Sequence, residues 1–218
     1  MDISVAPLQT GSPIADHFRA NQLLAGKSPA AIVKWTILNA DRPIISTNFR
    51  PLSIALIDLV TRIKPDIPVI WVDSGYNTAA THRFVDAVVQ RYDLNLQIYT
   101  PQPASMRPTL VGGVPEFGTN AHERFTREVK LEPFERALDE WHPDFWITGI
   151  RHDQTDYRRS LNVISNGPRD IVRVAPMYRW SEVDVEGYIY DHELPDYDDY
   201  YDPTKGADDR ECGLQTLA

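Results

Sequence analysis

The middle of the chain alternates apolar runs of strand length with segments in which apolar residues recur at helical spacing. The strand-length runs are 44–48, 69–72, 94–99, 145–150 and 171–176. The helical segments are 52–63, 78–91, 121–140 and 181–192, with Thr78 and Ser181 as candidate N-caps. Strands and helices in this order predict an α/β fold, in which a mostly parallel, twisted sheet carries helices on both faces.

The remaining segments lack this alternation. Between residues 100 and 119, prolines and glycines interrupt the pattern and predict a long loop. From Leu194 onward the chain is rich in Asp, Tyr, Pro and Gly, which predicts a flexible acidic tail that carries Cys212. The predicted organisation is an N-terminal helical segment (1–40), an α/β domain (41–193) and the C-terminal tail (194–218).

Charge and cysteine content narrow the class of protein. The chain has 218 residues, a net charge of −9 and one cysteine. The negative charge argues against a broad nucleic-acid surface, and no apolar run approaches the ~20 residues of a membrane span. The first residues lack the basic and apolar regions of a secretory signal. One cysteine excludes an internal disulfide and a four-cysteine metal or iron–sulfur site, and it suits a reducing cytoplasm.

Three polar loops follow predicted strands, at 46–53, 73–78 and 151–160, and ligands bind at the carboxyl ends of strands in open α/β sheets. The candidate binding residues are Ser46, Thr47, Asn48, Arg50, Ser53, Asp73, Ser74, Gly75, Arg151, His152, Gln154 and Arg158. The first loop suits a phosphate at a helix N-terminus, although a simple capped turn explains it equally well. The second could hold a ribose or a phosphate, although its local sequence slightly favours a simple tight turn. The arginines of the third suit phosphate or sulfate oxygens, unless this is a solvated surface loop.

Cys212 is either a nucleophile or an incidental thiol of the tail. Arg210 would lower the pKa of the thiol, whereas Glu211 and the neighbouring aspartates would raise it. A reactive thiolate therefore needs basic groups from elsewhere in the fold. The arginine-rich loop that begins at Arg151 is the obvious source.

In order and spacing, several segments resemble the phosphoadenosine phosphosulfate (PAPS) reductase family, a branch of the adenine-nucleotide α-hydrolase-like fold. These segments are 71–76, 83–84, 131–138, 149–155 with 158 and 161, and 210–214. The last is the most specific, because the family's cysteine there is the nucleophile. The resemblance implies that 41–193 binds the nucleotide through 46–48 and Ser53, with 73–75 beside the adenosine. Arg151, Arg158 and His152 would face the phosphosulfate and the 3′-phosphate.

The resemblance also implies the reaction. Cys212 would attack the sulfur of PAPS, release adenosine 3′,5′-bisphosphate and become S-sulfonated, and thioredoxin or glutaredoxin would then release sulfite. This is thioredoxin-dependent PAPS reduction in sulfate assimilation and cysteine biosynthesis, by a cytoplasmic homodimer. We expect no bound cofactor and no metal, since the related branch that reduces adenosine phosphosulfate holds a [4Fe–4S] cluster with cysteines that this chain lacks.

Three departures from the family pattern keep alternatives open, and one is that the segment between the last predicted helix and Cys212 is short and very acidic. The family has a glycine directly after the phenylalanine, and glycine lets the backbone approach a phosphate closely. In this chain Arg50, followed by Pro51, stands after Phe49 instead. Gln215 stands where the family has a histidine. One alternative is a PP-loop-type ATP nucleotidyltransferase or hydrolase that does not need the thiol. The other is an adenine-nucleotide-binding protein without catalysis.

Overall fold

A single six-stranded sheet organises the computed structural model, which describes residues 17–205 and 213–216. The strands are β1 Pro43–Thr47, β2 Val69–Val72, β3 Leu96–Tyr99, β4 Phe145–Ile147, β5 Ile164–Asn166 and β6 Val172–Val174. Their order across the sheet is β3-β2-β1-β4-β6-β5, and all neighbours are parallel except the antiparallel pair β5 and β6. The mostly parallel α/β sheet predicted from the sequence is confirmed.

Helices connect most of these strands. They are α1 His17–Leu23, α2 Pro29–Asn39, α3 Ile54–Thr61, α4 Ala79–Tyr92, α5 Pro103–Gly112, α6 Asn120–Thr126, α7 Glu132–Trp141, α8 Asp156–Arg159 and α9 Glu182–Asp191. A π-helical segment, Arg127–Leu131, joins α6 to α7. Both predicted N-caps are present: Thr78 accepts a hydrogen bond from the Thr81 N–H at 3.1 Å, and Ser181 forms a capping box with Asp184.

Helices cover both faces of the sheet. Adjacent residues of a strand point to opposite faces, and in β1 Ile45 packs in a cluster with α2, α3, α4 and α9. Ile44 points the other way and packs with Phe134 of α7 and Trp146 of β4. Burying one such large apolar side chain contributes roughly 1.5–3 kcal/mol to folding, so the two clusters fix the sheet between its helical layers.

Two local predictions were wrong or incomplete. Residues 100–119 were predicted to be a long loop, but they contain the helix α5. This helix begins at Pro103 and has a second proline, Pro108, in its interior. None of the residues of α5 is buried, so the sequence has no apolar stripe at helical spacing from which this helix could be predicted. The short edge strand β5 was not predicted at all. Three residues paired antiparallel to β6 leave too little pattern to recognise.

The acidic segment after α9 lies against the domain. Here we call residues 196–205 the strap. Although the sequence predicted a flexible tail, strap residues hydrogen-bond to the loops that follow β1 and β2 and to the π-helical segment. In the described part of the chain, no helix is both long and apolar enough to cross a bilayer.

Candidate active site

A cavity of about 120 Å³ lies at the carboxyl ends of β1, β2 and β4. The loop after β1 contributes Asn48, Arg50 and Ser53, and the turn after β4 contributes Gly149 and Arg151. Parallel strands deliver their carboxyl ends to one edge of the sheet, which is why loops distant in sequence meet here. The site is therefore where the topology predicted a ligand.

Five basic side chains line this cavity, whereas no aspartate or glutamate of the described segments does. The basic residues are Arg50, Lys130, Arg151, Arg158 and Lys205. The chain as a whole has a net charge of −9, so this concentration of positive charge is local to the cavity. A concave site with one sign of charge attracts a ligand of the opposite sign. The lining thus favours a small anionic ligand.

The turn after β4 and the helix α8 position two of the guanidinium groups. Arg151 is only 4% exposed, and it donates from Nε to Asp153 at 3.1 Å and from Nη2 to Glu182 at 3.2 Å. The Gln154 side-chain oxygen accepts from the Arg151 N–H at 3.0 Å and from Nη1 of Arg158. Gln154 therefore orients the arginine loop toward the cavity as well as lining it.

Arg50 shares the cavity with these two arginines. Burial lowers the pKa of its guanidinium below the ordinary value, and the positive charges of Arg158 and Arg151 lower it further. A guanidinium still stays protonated in proteins. The site therefore holds cations that repel one another in a partly desolvated space, and a bound anion would relieve that repulsion.

Lys130 enters the cavity from the π-helical segment, and the sequence reasoning did not identify it. It donates hydrogen bonds to the Asp202 carboxylate and, at 3.0 Å, to Thr204 Oγ1. Burial alone would raise the pKa of Asp202, but the Lys130 charge and hydrogen bonds outweigh burial and lower that pKa. π-Helical turns often occur at functional sites. A π-helical segment of only five residues cannot be predicted from the sequence pattern, which is why Lys130 was missed.

The strap also contacts the loop after β1. The Asn48 side-chain amide donates to Tyr200 Oη at 3.0 Å, and the Leu52 N–H donates to Asp196 Oδ1 at 3.3 Å. Lys205, at the end of the strap, lines the cavity itself. The acidic segment thereby forms one wall of the site, which local sequence patterns did not reveal.

The end of the chain returns to the same place. Cys212, with Arg210 and Glu211, lies outside the described residues. Gly213 has a left-handed φ of 81°, and a Cβ placed there would lie 3.3 Å from Cδ2 of Leu131. Leu214 lines the cavity and packs against the cluster that contains Phe134. The residues that directly follow Cys212 in sequence are thus docked at the basic cavity.

The structure brings together eight of the predicted binding residues: Ser46, Thr47, Asn48, Arg50, Ser53, Arg151, Gln154 and Arg158 all line the cavity. Asp73, Ser74, Gly75 and His152 are not among its lining residues. Asp73 accepts from the Gly75 N–H at 3.0 Å, as in the tight turn that was the alternative, and the His152 N–H donates to the Tyr178 carbonyl at 2.9 Å. A role for these four at the adenosine or the phosphates stays a prediction.

Comparison with known proteins identifies the family of the chain. The family model described as "Phosphoadenosine phosphosulfate reductase domain" matches residues 42–202. The chain is 34% identical over 179 residues to the phosphoadenosine 5′-phosphosulfate reductase of a Synechococcus strain, covering 80% of this chain and 76% of that one. It is 35% identical over 174 residues to the reductase of Alkalilimnicola ehrlichii, covering 79% and 71%.

The chain belongs to the PAPS reductase family.

It is thus an enzyme of an oxidoreductase family, and this membership supports the reduction of PAPS in sulfate assimilation as its activity. A solved PAPS reductase from Candida auris, in complex with phosphate, has the same fold, with a TM-score of 0.73 over 88% of this chain and 91% of that one at 22% identity. FMN adenylyltransferase from Candida glabrata shares the fold more distantly, with a TM-score of 0.55 at 17% identity over 85% of this chain and 58% of that one.

Proposed function

We propose that this PAPS reductase family member reduces PAPS to sulfite and adenosine 3′,5′-bisphosphate, with Cys212 as the nucleophile and thioredoxin or glutaredoxin as the reductant. One observation carries the proposal. Leu214, two residues after Cys212, lines a cavity that has five basic residues in its wall, and Gly213 between them approaches Leu131. A thiolate delivered there would meet an anionic substrate in an electropositive environment, which also favours the thiolate over the thiol.

The proposed reaction has two displacement steps. The Cys212 thiolate attacks the sulfur of PAPS, an S–S bond forms, and the bond from sulfur to the bridging oxygen breaks. The electron pair of that bond leaves with adenosine 3′,5′-bisphosphate, and Cys212 carries an S-sulfonate. A reductant thiolate then attacks Sγ of Cys212 and releases sulfite. A second thiol of the reductant resolves the mixed disulfide, so the reductant loses two electrons and sulfur gains two.

The arginines would act on the charge that develops in the first step. The leaving phosphate gains negative charge as its bond to sulfur breaks, and fixed cations are most effective where charge appears in the transition state. Arg151 is held in place by Asp153 and Glu182, and Gln154 holds Arg158, so both are oriented before the substrate binds. Such preorganisation avoids a cost of rearrangement during the reaction.

Sulfite release from PAPS with reduced thioredoxin tests the proposal. The native chain should turn over, and Cys212→Ser should release no sulfite while still binding adenosine 3′,5′-bisphosphate. Reduced glutaredoxin in a parallel reaction identifies the preferred reductant. If Cys212→Ser retained full turnover, the assignment of the nucleophile would be wrong.

The two alternatives predict other outcomes, which assays of ATP turnover and of nucleotide binding detect. A PP-loop-type nucleotidyltransferase or hydrolase would consume ATP with magnesium and would be insensitive to alkylation of Cys212. A binding protein without catalysis would take up adenosine 3′,5′-bisphosphate but form no sulfite with any reductant. Family membership and the position of Gly213 favour the reductase over both.

The proposed enzyme works as a cytoplasmic homodimer. The resemblance to the family supports this part of the proposal, and the exposed helix α5 leaves apolar surface such as Leu110 and Val111 uncovered. Light scattering on the purified chain should give twice the 24.8 kDa mass of one chain. A mass equal to one chain at micromolar concentration would contradict the dimer.

A further inference from the structure

The loop between β1 and α3 has no backbone N–H to offer a ligand over residues 49–53. The Phe49 N–H donates to Thr47 Oγ1 at 3.1 Å, and the Arg50 N–H donates to Asn48 Oδ1 at 3.3 Å. Position 51 is proline, which has no N–H. The next two N–H groups are also engaged.

Leu52 donates its N–H to the Asp196 carboxylate of the strap at 3.3 Å, and Ser53 donates its N–H to the Arg50 carbonyl at 3.0 Å. Phosphate-binding loops commonly surround an anion with free backbone N–H groups. In this loop the chain's own side chains, the strap and a turn carbonyl have taken those donors. Residues 49–53 therefore offer an anion their side chains and no free backbone N–H.

Arg50 supplies the missing donor. Its guanidinium lies half-buried in the cavity and makes no hydrogen bond or salt bridge to another residue of the described segments. Glu182 and Tyr200 act on it only as weaker charges that burial and the two neighbouring arginines outweigh. Burying a cation without a direct ion pair is costly, so such a group is normally matched by an anion. Two of its neighbours in the cavity, Arg151 and Arg158, are cations as well.

Ser53 provides a second donor at the same place. Its hydroxyl oxygen is fully buried and, within residues 17–205 and 213–216, has no hydrogen-bond partner. It also makes no capping bond to its own helix. Buried hydroxyl groups are almost always hydrogen-bonded, so this one fits a ligand oxygen that completes the site.

We propose that Arg50, assisted by the Ser53 hydroxyl, holds an oxyanion of the nucleotide in place of the loop's backbone N–H groups. The substrate class is then an adenine nucleotide recognised at this loop through guanidinium hydrogen bonds. This inference rests on the proposed function, because it assumes that the cavity binds such a nucleotide. It makes Arg50 a binding residue.

Calorimetric titration with adenosine 3′,5′-bisphosphate tests this, using Cys212→Ser as the parent so that no chemistry intervenes. Arg50→Gln should weaken binding by roughly 10- to 100-fold, the usual effect of losing hydrogen bonds to a charged group. Arg50→Lys should recover part of the loss. Arg19→Gln removes the same charge from an exposed position on α1 and should change nothing.

Adenosine and adenosine 5′-monophosphate, titrated in parallel, show what Arg50 recognises. The Arg50→Gln loss should be absent with adenosine and present once a phosphate is added. Ligand-free Arg50→Gln should unfold at the same temperature as its parent or higher, because the substitution removes repulsion from Arg151 and Arg158. That result would separate lost binding from lost folding.

Two outcomes distinguish this inference from the proposed function. If Arg50→Gln binds adenosine 3′,5′-bisphosphate as tightly as its parent, the role of Arg50 is wrong while the proposed function stands. If the parent itself binds none of the three probes, the proposed function fails and this inference fails with it.

Discussion

Asp58 is the most tightly held carboxylate that the structure describes in the core. It is 1% exposed and accepts hydrogen bonds from Arg62 at 2.7 Å, Tyr92 at 2.8 Å and Tyr188 at 2.7 Å. Burial alone would raise the pKa of Asp58, but these hydrogen bonds outweigh it and hold that pKa below its usual value. Burial and the same carboxylate raise the pKa of Tyr92 to about 12. One residue thus ties α4 and α9 to α3.

The first prediction concerns Asp58→Asn, which should lower the free energy of unfolding by roughly 2–3 kcal/mol at pH 7. Because the folded-state pKa of Asp58 is depressed, its stabilisation is complete above the unfolded-state pKa of about 4. It is lost as the pH falls through the folded-state value. Urea unfolding at a series of pH values should show the two proteins converging below pH ~4.

Asp86→Asn, on the exposed face of α4, is the matched control. It should leave the unfolding free energy of the native chain unchanged at every pH. A constant gap between Asp58→Asn and the native chain down to strongly acidic pH would contradict the assignment of a depressed pKa to Asp58.

The strap is the element on which the site's shape depends most. Lys130 and Asp202 form a buried ion pair across the cavity wall, with side chains 7% and 8% exposed. Removing one partner of such a pair leaves an uncompensated charge, which is strongly destabilising. The strap has no helix or strand of its own to share that cost. Loss of Asp202 would leave the charge on Lys130, in the π-helical segment, and would release the strap, so we expect the effect in the strap and at the adjoining cavity wall.

The second prediction is that Asp202→Asn speeds amide hydrogen exchange in the strap by roughly tenfold or more, while exchange in α4 stays unchanged. Mass spectrometry of peptides that cover 196–205 measures this. Asp198→Asn, an exposed position in the same strap, should have no effect. Equal exchange in both variants would mean that the ion pair does not hold the strap.

The third prediction concerns the turn after Cys212. Gly213→Ala introduces a Cβ at a φ of 81° and 3.3 Å from Leu131, so the turn should lose its docked position. A left-handed conformation costs a non-glycine residue roughly 1–2 kcal/mol, which corresponds to about a 5- to 30-fold loss of kcat for sulfite release. The affinity for adenosine 3′,5′-bisphosphate should be unchanged.

Gly26→Ala is the matched control, because Gly26 has a φ of 70° but a Cβ placed on it would have nothing within 4 Å. It should incur similar backbone strain and leave sulfite release unaffected. If the two variants lost activity equally, strain alone and not docking at the cavity would explain the Gly213 result.

In the molecule as a whole, the sequence predicted the strands of the sheet but not the residues that form the walls of the site. The runs at Val69 and Phe145 are apolar enough to identify buried parallel strands, and their order predicted which loops meet. Lys130 and Tyr200 belong to the site only through packing across the fold, which no local pattern encodes. Helix α5 was missed because none of its residues is buried.

Charge distribution is the second property of the whole molecule. A chain of net charge −9 places five basic side chains around one cavity and pairs one of them, Lys130, with Asp202 of the strap. The sequence predicted the arginine loop as an anion site from residue type alone. It also predicted that the first loop would suit a phosphate at a helix N-terminus, and the structure shows that three loop N–H groups before that helix donate to Thr47, Asn48 and Asp196.

The central claim is that Cys212 receives the sulfonate from PAPS, and the mass of the intact protein after incubation with PAPS alone tests it most directly. With no reductant present, the account predicts one added sulfonate group per chain, which peptide mapping assigns to Cys212. Cys212→Ser should stay unmodified, and reduced thioredoxin should restore the original mass of the native chain with release of sulfite. An unmodified native chain, or a sulfonate on any other residue, would contradict the account.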